Sequence, residues 1–152
     1  MEPKFEYALT IKLELGPRKV VGNSPLGGQR GYVEVIGGTF EGPKLKGIVL
    51  PGGGDWPYIQ PDGVIKFDAR YILKEQDGTE IYVRNSGFRW GTPEVMKKLA
   101  EYQPVDMSEY YMRATPTFEV QEGPHDWLNK YLFFGIGERS REGNVIHYYK
   151  LL

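Results

Sequence analysis

The segment Val64-Ile65-Lys66-Phe67-Asp68-Ala69-Arg70-Tyr71-Ile72-Leu73-Lys74-Glu75-Gln76-Asp77-Gly78-Thr79-Glu80-Ile81-Tyr82-Val83-Arg84-Asn85 decides the fold. Apolar and polar side chains alternate on both sides of Asp77-Gly78, and Asp-Gly between two β-rich runs is a strong hairpin signal, because a type I′ turn needs positive φ at both central residues. A two-residue loop pairs Gln76 with Thr79, Ile72 with Val83 and Arg70 with Asn85. That register puts Asp68, Arg70, Ile72, Val83 and Asn85 on one face, and Phe67, Ala69, Tyr71, Leu73, Tyr82 and Arg84 on the other. Both faces carry apolar groups, which calls for a sheet covered on each side.

Outward from this hairpin the chain repeats the pattern. Residues Phe5 to Leu15 alternate strictly, with Phe5, Tyr7, Leu9, Ile11, Leu13 and Leu15 on one face. Gly16 to Gly31 is rich in Gly and Pro and reads as a long loop able to act as a lid. Gly31–Ile36 and Leu45–Leu50 are short strands, the second broken by Pro51-Gly52-Gly53-Gly54-Asp55-Trp56-Pro57, where the glycines permit either a close backbone approach to a ligand with Trp56 packed on it or, the favoured reading, a sharp corner with Trp56 plugging the barrel end. Thr92-Pro93-Glu94 opens the one helix, with Thr92 as N-cap, Val95, Met96, Leu99 and Tyr102 on its apolar stripe and Pro104 ending it. The stripe is expected to cover one barrel end. Glu109–Glu119 is a strand that Pro116 bends or places at an edge, and Trp127–Glu138 with Asn144–Leu151 forms a second hairpin. About eight mainly antiparallel strands with apolar residues on both faces predict an all-β, closed or nearly closed β-barrel with one short helix, a sandwich being the runner-up. No linker or repeat divides the chain, so residues 1–152 form a single domain.

Composition narrows the function classes. Lys plus Arg number 19 against 20 for Asp plus Glu, giving a net charge of -1, so no global field draws in nucleic acid or an anionic membrane. Cysteine is absent, which removes disulfides, thiolate nucleophiles and Cys-based metal sites and fits a cytoplasmic protein. No export signal and no membrane-length apolar run is present. Gly135-Ile136-Gly137-Glu138-Arg139-Ser140 lacks the third glycine and the following helix of a dinucleotide fingerprint. His125 and His147 are the only imidazoles and lie in separate segments; a metal site would need both, with Asp126 or Glu138, to converge. No cofactor and no metal is expected.

Polar and aromatic residues placed on strand faces remain. Asp68 and Arg70 share a face, to which the hairpin register adds Asn85; Arg113 and Thr115 share one with Tyr111, and Trp127 with Asn129 and Tyr131. Pointing inward, they would make a concave site with a carboxylate and guanidinium groups, Arg70 or Arg113 clamping an oxyanion and Asp68 acting as base. Pointing outward, Asp68 and Arg70 would be an ordinary surface ion pair and Trp127 core.

The motifs Gly37-Gly38-Thr39-Phe40-Glu41-Gly42-Pro43, Leu50-Pro51-Gly52-Gly53-Gly54-Asp55-Trp56, Asp68-Ala69-Arg70-Tyr71, Ile81-Tyr82-Val83-Arg84-Asn85, Glu109-Tyr110-Tyr111-Met112-Arg113, Trp127-Leu128-Asn129 and Gly135-Ile136-Gly137-Glu138-Arg139 resemble the family called domain of unknown function 3237, from about Tyr7 to Tyr149. The resemblance implies a small β-barrel related to those of the allene oxide cyclase and dirigent type, with no established activity. It favours a ligand-binding interior built from Trp56, Asp68, Arg70, Tyr82, Arg113, Trp127 and Asn129. The expectation is a barrel that binds a small aromatic or carboxylate-bearing molecule and acts as a cofactor-free lyase, isomerase or cyclase. The alternatives are a non-catalytic carrier, or a homodimeric module that buries an aromatic face at Tyr148 or Tyr149.

Overall fold

The computed structural model describes residues 1–152. Its elements run β1 (Phe5–Leu15), β2 (Lys19–Asn23), β3 (Gln29–Glu41), β4 (Lys46–Val49), β5 (Gly53–Asp55), β6 (Tyr58–Ile59), β7 (Ile65–Glu75), β8 (Glu80–Gly91), α1 (Pro93–Ala100), β9 (Tyr110–Glu119), β10 (Phe133–Arg139) and β11 (Gly143–Leu151), with single 3-10 turns at Met107–Glu109 and Asp126–Asn129. Neighbouring strands pair antiparallel in the order β1, β11, β10, β9, β8, β7; β7 then pairs with β4, β5 and β6, these with β3, and β3 with β1. The sheet is therefore a closed eight-stave barrel, without the free edges that an open sheet must protect. No helix is long and apolar enough to cross a membrane.

The hairpin at Asp77-Gly78 is present, but its register differs by one residue from the two-residue expectation. The Glu75 N–H donates to the Thr79 carbonyl (2.9 Å), leaving Gln76, Asp77 and Gly78 in the loop, and Gly78 takes the left-handed conformation at φ 91°. A three-residue loop of this kind is the next commonest hairpin connection. Arg70 thus pairs with Arg84, and Ala69 with Asn85. Because side chains alternate every residue, the slip moves all of β8 to the opposite face relative to β7. Ala69, Tyr71, Val83 and Asn85 are buried inside, while Asp68, Arg70, Tyr82 and Arg84 line the outer wall.

Other elements depart from expectation for local reasons. A bulge between Tyr7 and Leu9 rotates the start of β1, so Phe5 and Tyr7 lie outside while Ala8, Leu9, Ile11 and Leu13 are buried. The Gly16–Gly31 stretch contains β2, which extends β3 as a hairpin beyond the barrel with every residue exposed. Trp127 belongs to a 3-10 turn, and β10 begins only at Phe133; the Asn129 side chain accepts from the Val120 N–H (3.0 Å) and donates to its carbonyl (2.8 Å), closing this segment into a loop. Pro116 pairs with Asn85 on β8, while the pairing of β9 to β10 is confined to Ala114 and Arg113, so the missing N–H falls where β9 lacks its second neighbour. The helix is capped as expected, the Val95 N–H donating to Thr92 Oγ1 (3.3 Å), and Val95 and Leu99 join the core.

Glycines make room for rings that cross the interior. A Cβ on Gly135 would stand 2.7 Å from the Tyr148 ring, and one on Gly87 2.7 Å from that of Phe67. Tyr148 is accordingly fully buried in the barrel and unavailable to a dimer face, whereas Tyr149 lies on the outer wall against Phe134, ring centroids 5.4 Å apart.

Candidate functional site

Inward-facing positions change character along the barrel. Near the β7–β8 turn they are apolar: Leu73, Ile81, Phe118 and Phe133, with Leu128 inserted from the Asp126–Asn129 turn. At the opposite end, where β8 runs into α1, they become Asp55, Asn85, Arg89, Arg139 and Asn144, with Arg18 at the rim.

Asp55 reaches the interior because of the triple glycine before it. Gly52 takes φ 108°, and a Cβ on Gly53 would lie 2.6 Å from Tyr71 Cβ, so only glycine lets β5 slot between β3 and β7. Asp55 pairs with Val33 and Ala69, both inward, and shares their face. Its Oδ1 accepts the Asp68 N–H at 3.0 Å, yet it forms no direct ion pair. Burial pushes its carboxyl from 3.8 up to about 6, against the opposing pull of that hydrogen bond and of Arg89 and Arg139; the charge of Asp68 adds to the rise. Burial also lowers Arg89 to about 9, helped by repulsion from Arg139 and Arg18. Arg139 is lowered by burial first, with repulsion from Arg18 adding to it.

These groups are not satisfied among themselves. The Arg139 N–H donates to Tyr110 Oη (2.9 Å) and its guanidinium to Asn144 Oδ1 (3.3 Å), but its Nε, the Nε of Arg89 and the Oδ1 of Asn85 are buried without a partner. Buried donors and acceptors are nearly always paired, so these three atoms near one carboxyl are open to a further hydrogen-bond partner, for which a water suffices. The space between them is about 30 Å³, continuing into about 10 Å³ deeper down, which holds one or two waters rather than a substrate.

Of the residues singled out in the sequence, Asn85 lies in this cluster, on the opposite face from Asp68 and Arg70, and the others lie elsewhere. Asp68 is on the outer wall, paired with Arg84 (3.4 Å) and Arg70 (3.8 Å). Trp56, 40% exposed and packed against Tyr32, shares with Asp68 an outer groove of about 390 Å³ and plugs nothing. Tyr82 faces outward, Arg113 lies over the Tyr111 ring (5.1 Å), and Asn129 serves the loop closure described above. Trp127 alone packs against the core, at the apolar end, with Lys44 and Lys150 over its ring. His147 is bonded to Thr10 (2.8 Å), and the buried His125 meets Asp77 (2.8 Å) and Glu75 (3.5 Å) instead of His147, Asp126 or Glu138. That trio fastens the Asp126–Asn129 turn to the β7–β8 hairpin. The charged cluster was nevertheless readable: Arg89 continues the parity of Ile81, Val83 and Asn85, and Arg139 that of Phe133, Gly135 and Gly137.

These features define a small closed β-barrel whose one end gathers buried charge. The chain belongs to the family described as protein of unknown function DUF3237, which it matches over residues 3–151. It is 34% identical over 154 residues to a UPF0311 protein of Rhodopseudomonas palustris, covering 100% of both, and the crystal structure of a conserved protein of unknown function from that organism superposes with a TM-score of 0.93 at 32% identity, covering 100% and 99%. A beta-barrel like protein of Acinetobacter baumannii superposes at 0.87, with 32% identity and 100% and 98% coverage. The chain is also 24% identical over 149 residues to the hydroalkoxylation enzyme phnH of Penicillium herquei, covering 98% of this chain and 84% of that one.

Proposed function

We propose that the charged end of the barrel is the active site of a cofactor-independent acid–base enzyme acting on a small organic anion. Arg89 and Arg139, with Arg18 at the rim, hold the oxyanion of a carboxylate or enolate, and Asp55 carries the proton. The observation behind this reading is the convergence of orphaned guanidinium nitrogens on a carboxyl held near 6, the range in which one group can both take and give a proton at neutral pH. Three cations against one carboxylate leave the site in need of negative charge. Hydroalkoxylation, the activity in the name of the Penicillium relative, adds an alcohol across a multiple bond: a proton leaves oxygen, a C–O bond forms and a proton arrives at carbon. A positioned carboxyl and an oxyanion clamp supply both proton steps without a redox group.

The test is the cyclisation of 2′-hydroxychalcones and related hydroxyaryl enones, followed by absorbance. The wild type should accelerate members of this panel, with a pH limb near 6, and Asp55→Asn should lower the rate by about 100-fold or more and remove that limb. An Asp55→Asn variant turning over at the wild-type rate would exclude Asp55 as the proton carrier. Tight binding with no turnover across the panel would instead identify a carrier.

A further inference from the structure

The charged end is covered by α1, and the way that helix stops is unusual. Glu101 caps it, the Tyr102 N–H donates to the Leu99 carbonyl (3.2 Å) and the Gln103 N–H to that of Lys98 (2.9 Å). This is the paired closing bond pattern that ordinarily ends on glycine, because the residue after the cap must be left-handed. Here that residue is Tyr102, at φ 56°, the one non-glycine residue of the chain with positive φ. A bulky side chain in this region is strained, and such strain persists only where surrounding contacts hold it.

The contact that holds it is with the site. The Tyr102 ring lies over the Arg139 guanidinium at 4.3 Å, and Arg139 lines the charged cavity with its Nε unpaired. The strained residue thus covers one of the cations assigned to substrate, and Arg139 in turn lines a cavity that is too small for any substrate.

We infer that Tyr102 is the gate of the barrel: its ring covers the Arg139 guanidinium, and a planar organic anion reaches the N–H groups of that guanidinium by displacing the ring and the last turn of α1. This rests on the charged end being the binding site. An anion bonded to Arg139 replaces a ring–cation contact with a charge-assisted pair, and the released Tyr102 leaves its left-handed conformation. The ligand therefore selects an open state that is a minor species when the site is empty, and apparent affinity is reduced by that minor fraction. Tyr102 is a positioning residue and performs no chemistry.

The probe is 4-fluorobenzoate, its binding constant and exchange rate measured by fluorine NMR. Tyr102→Gly, which removes the ring and fits the left-handed backbone, should bind at least about fivefold more tightly and exchange faster than wild type. Tyr102→Asn, tolerant of the same backbone, should follow it, and Tyr102→Phe should stay within about twofold of wild type because the ring remains. Arg139→Gln and Arg89→Gln should lose the probe. If both arginine variants lose binding while Tyr102→Gly matches wild type in affinity and rate, the gate is overturned and the site stands. If the arginine variants bind as wild type does, or neither wild type nor Tyr102→Gly binds at millimolar probe, the reading of the site fails and the gate fails with it.

Discussion

The two ends of the barrel are closed by the same device made from opposite materials. Each is covered by a short helical segment between consecutive strands, α1 between β8 and β9 at one end and the Asp126–Asn129 turn between β9 and β10 at the other. The second is anchored deeply: Leu128 is buried among Phe118, Phe133 and their neighbours, His125 is bonded to Asp77, and Asn129 bonds both backbone groups of Val120. The first rests Val95 and Leu99 on the core, ends in a strained tyrosine and lies over three arginines and a carboxyl, with the Nε of Arg89 and of Arg139 unpaired. Apolar burial stabilises one end, and at the other burial works against the charges of Asp55, Arg89 and Arg139. Binding and catalytic groups commonly sit where the fold is weakest in this sense.

The sharpest test of the contrast is Leu128→Ala. Removing a fully buried leucine from a packed end costs the lost transfer energy and a cavity, so the variant should lose about 2–5 kcal/mol in urea unfolding. Its 4-fluorobenzoate binding should be unchanged at temperatures where it remains folded. Altered binding would show that the ends are coupled and the division drawn between them is false.

At the charged end the sign reverses and depends on pH. The folded-state pKa of Asp55 is raised from 3.8 to about 6, so the native state holds the proton more tightly than the unfolded chain. The contribution of Asp55 to stability is then fully present below about pH 4 and is lost as pH rises through 6, by about 3 kcal/mol in all, because each tenfold gain in proton affinity on folding is worth about 1.4 kcal/mol. Asp55→Asn cannot titrate, so its stability relative to wild type should improve by that order from about pH 3.5 to about pH 7.5. Parallel stability curves for the two proteins would show that Asp55 is solvated and ordinary.

Much of this contrast is present in the sequence, and what is missing is missing for geometric reasons. Alternation within each strand, the Thr92 cap and the Asp77-Gly78 hairpin are local and could be read directly. Which face points inward is not local. One additional residue in the β7–β8 loop exchanges Asn85 for Arg84 as the neighbour of Arg70, and that slip sends Asn85 inward while Asp68 and Arg70 stay together on the outer wall. The bulge after Tyr7 does the same to the start of β1. Asp55 stands beside Trp56, the residue that attracted notice, but its direction depends on two strands far away in sequence that grip β5 from either side. Gly87 and Gly135 have meaning only once Phe67 and Tyr148 are seen to occupy their space.

The smallest predicted effect joins the outer wall to the charged end. Asp68 sits outside, 37% exposed, in ion pairs with two arginines that are themselves about half exposed, and pairs of that kind contribute roughly 0–1 kcal/mol. Asp68→Asn should therefore change stability by less than about 1 kcal/mol and leave turnover intact, in contrast to Asp55→Asn. It should still be visible in one respect. The Asp68 backbone N–H is bonded to Asp55 and survives the substitution, but the carboxylate charge that helps raise Asp55 does not. The pH limb assigned to Asp55 should move to lower pH, because removing a like charge favours the ionised form. A limb that moves upward, or a variant that loses turnover outright, would place the chemistry on the outer wall with Asp68 and not inside the barrel with Asp55.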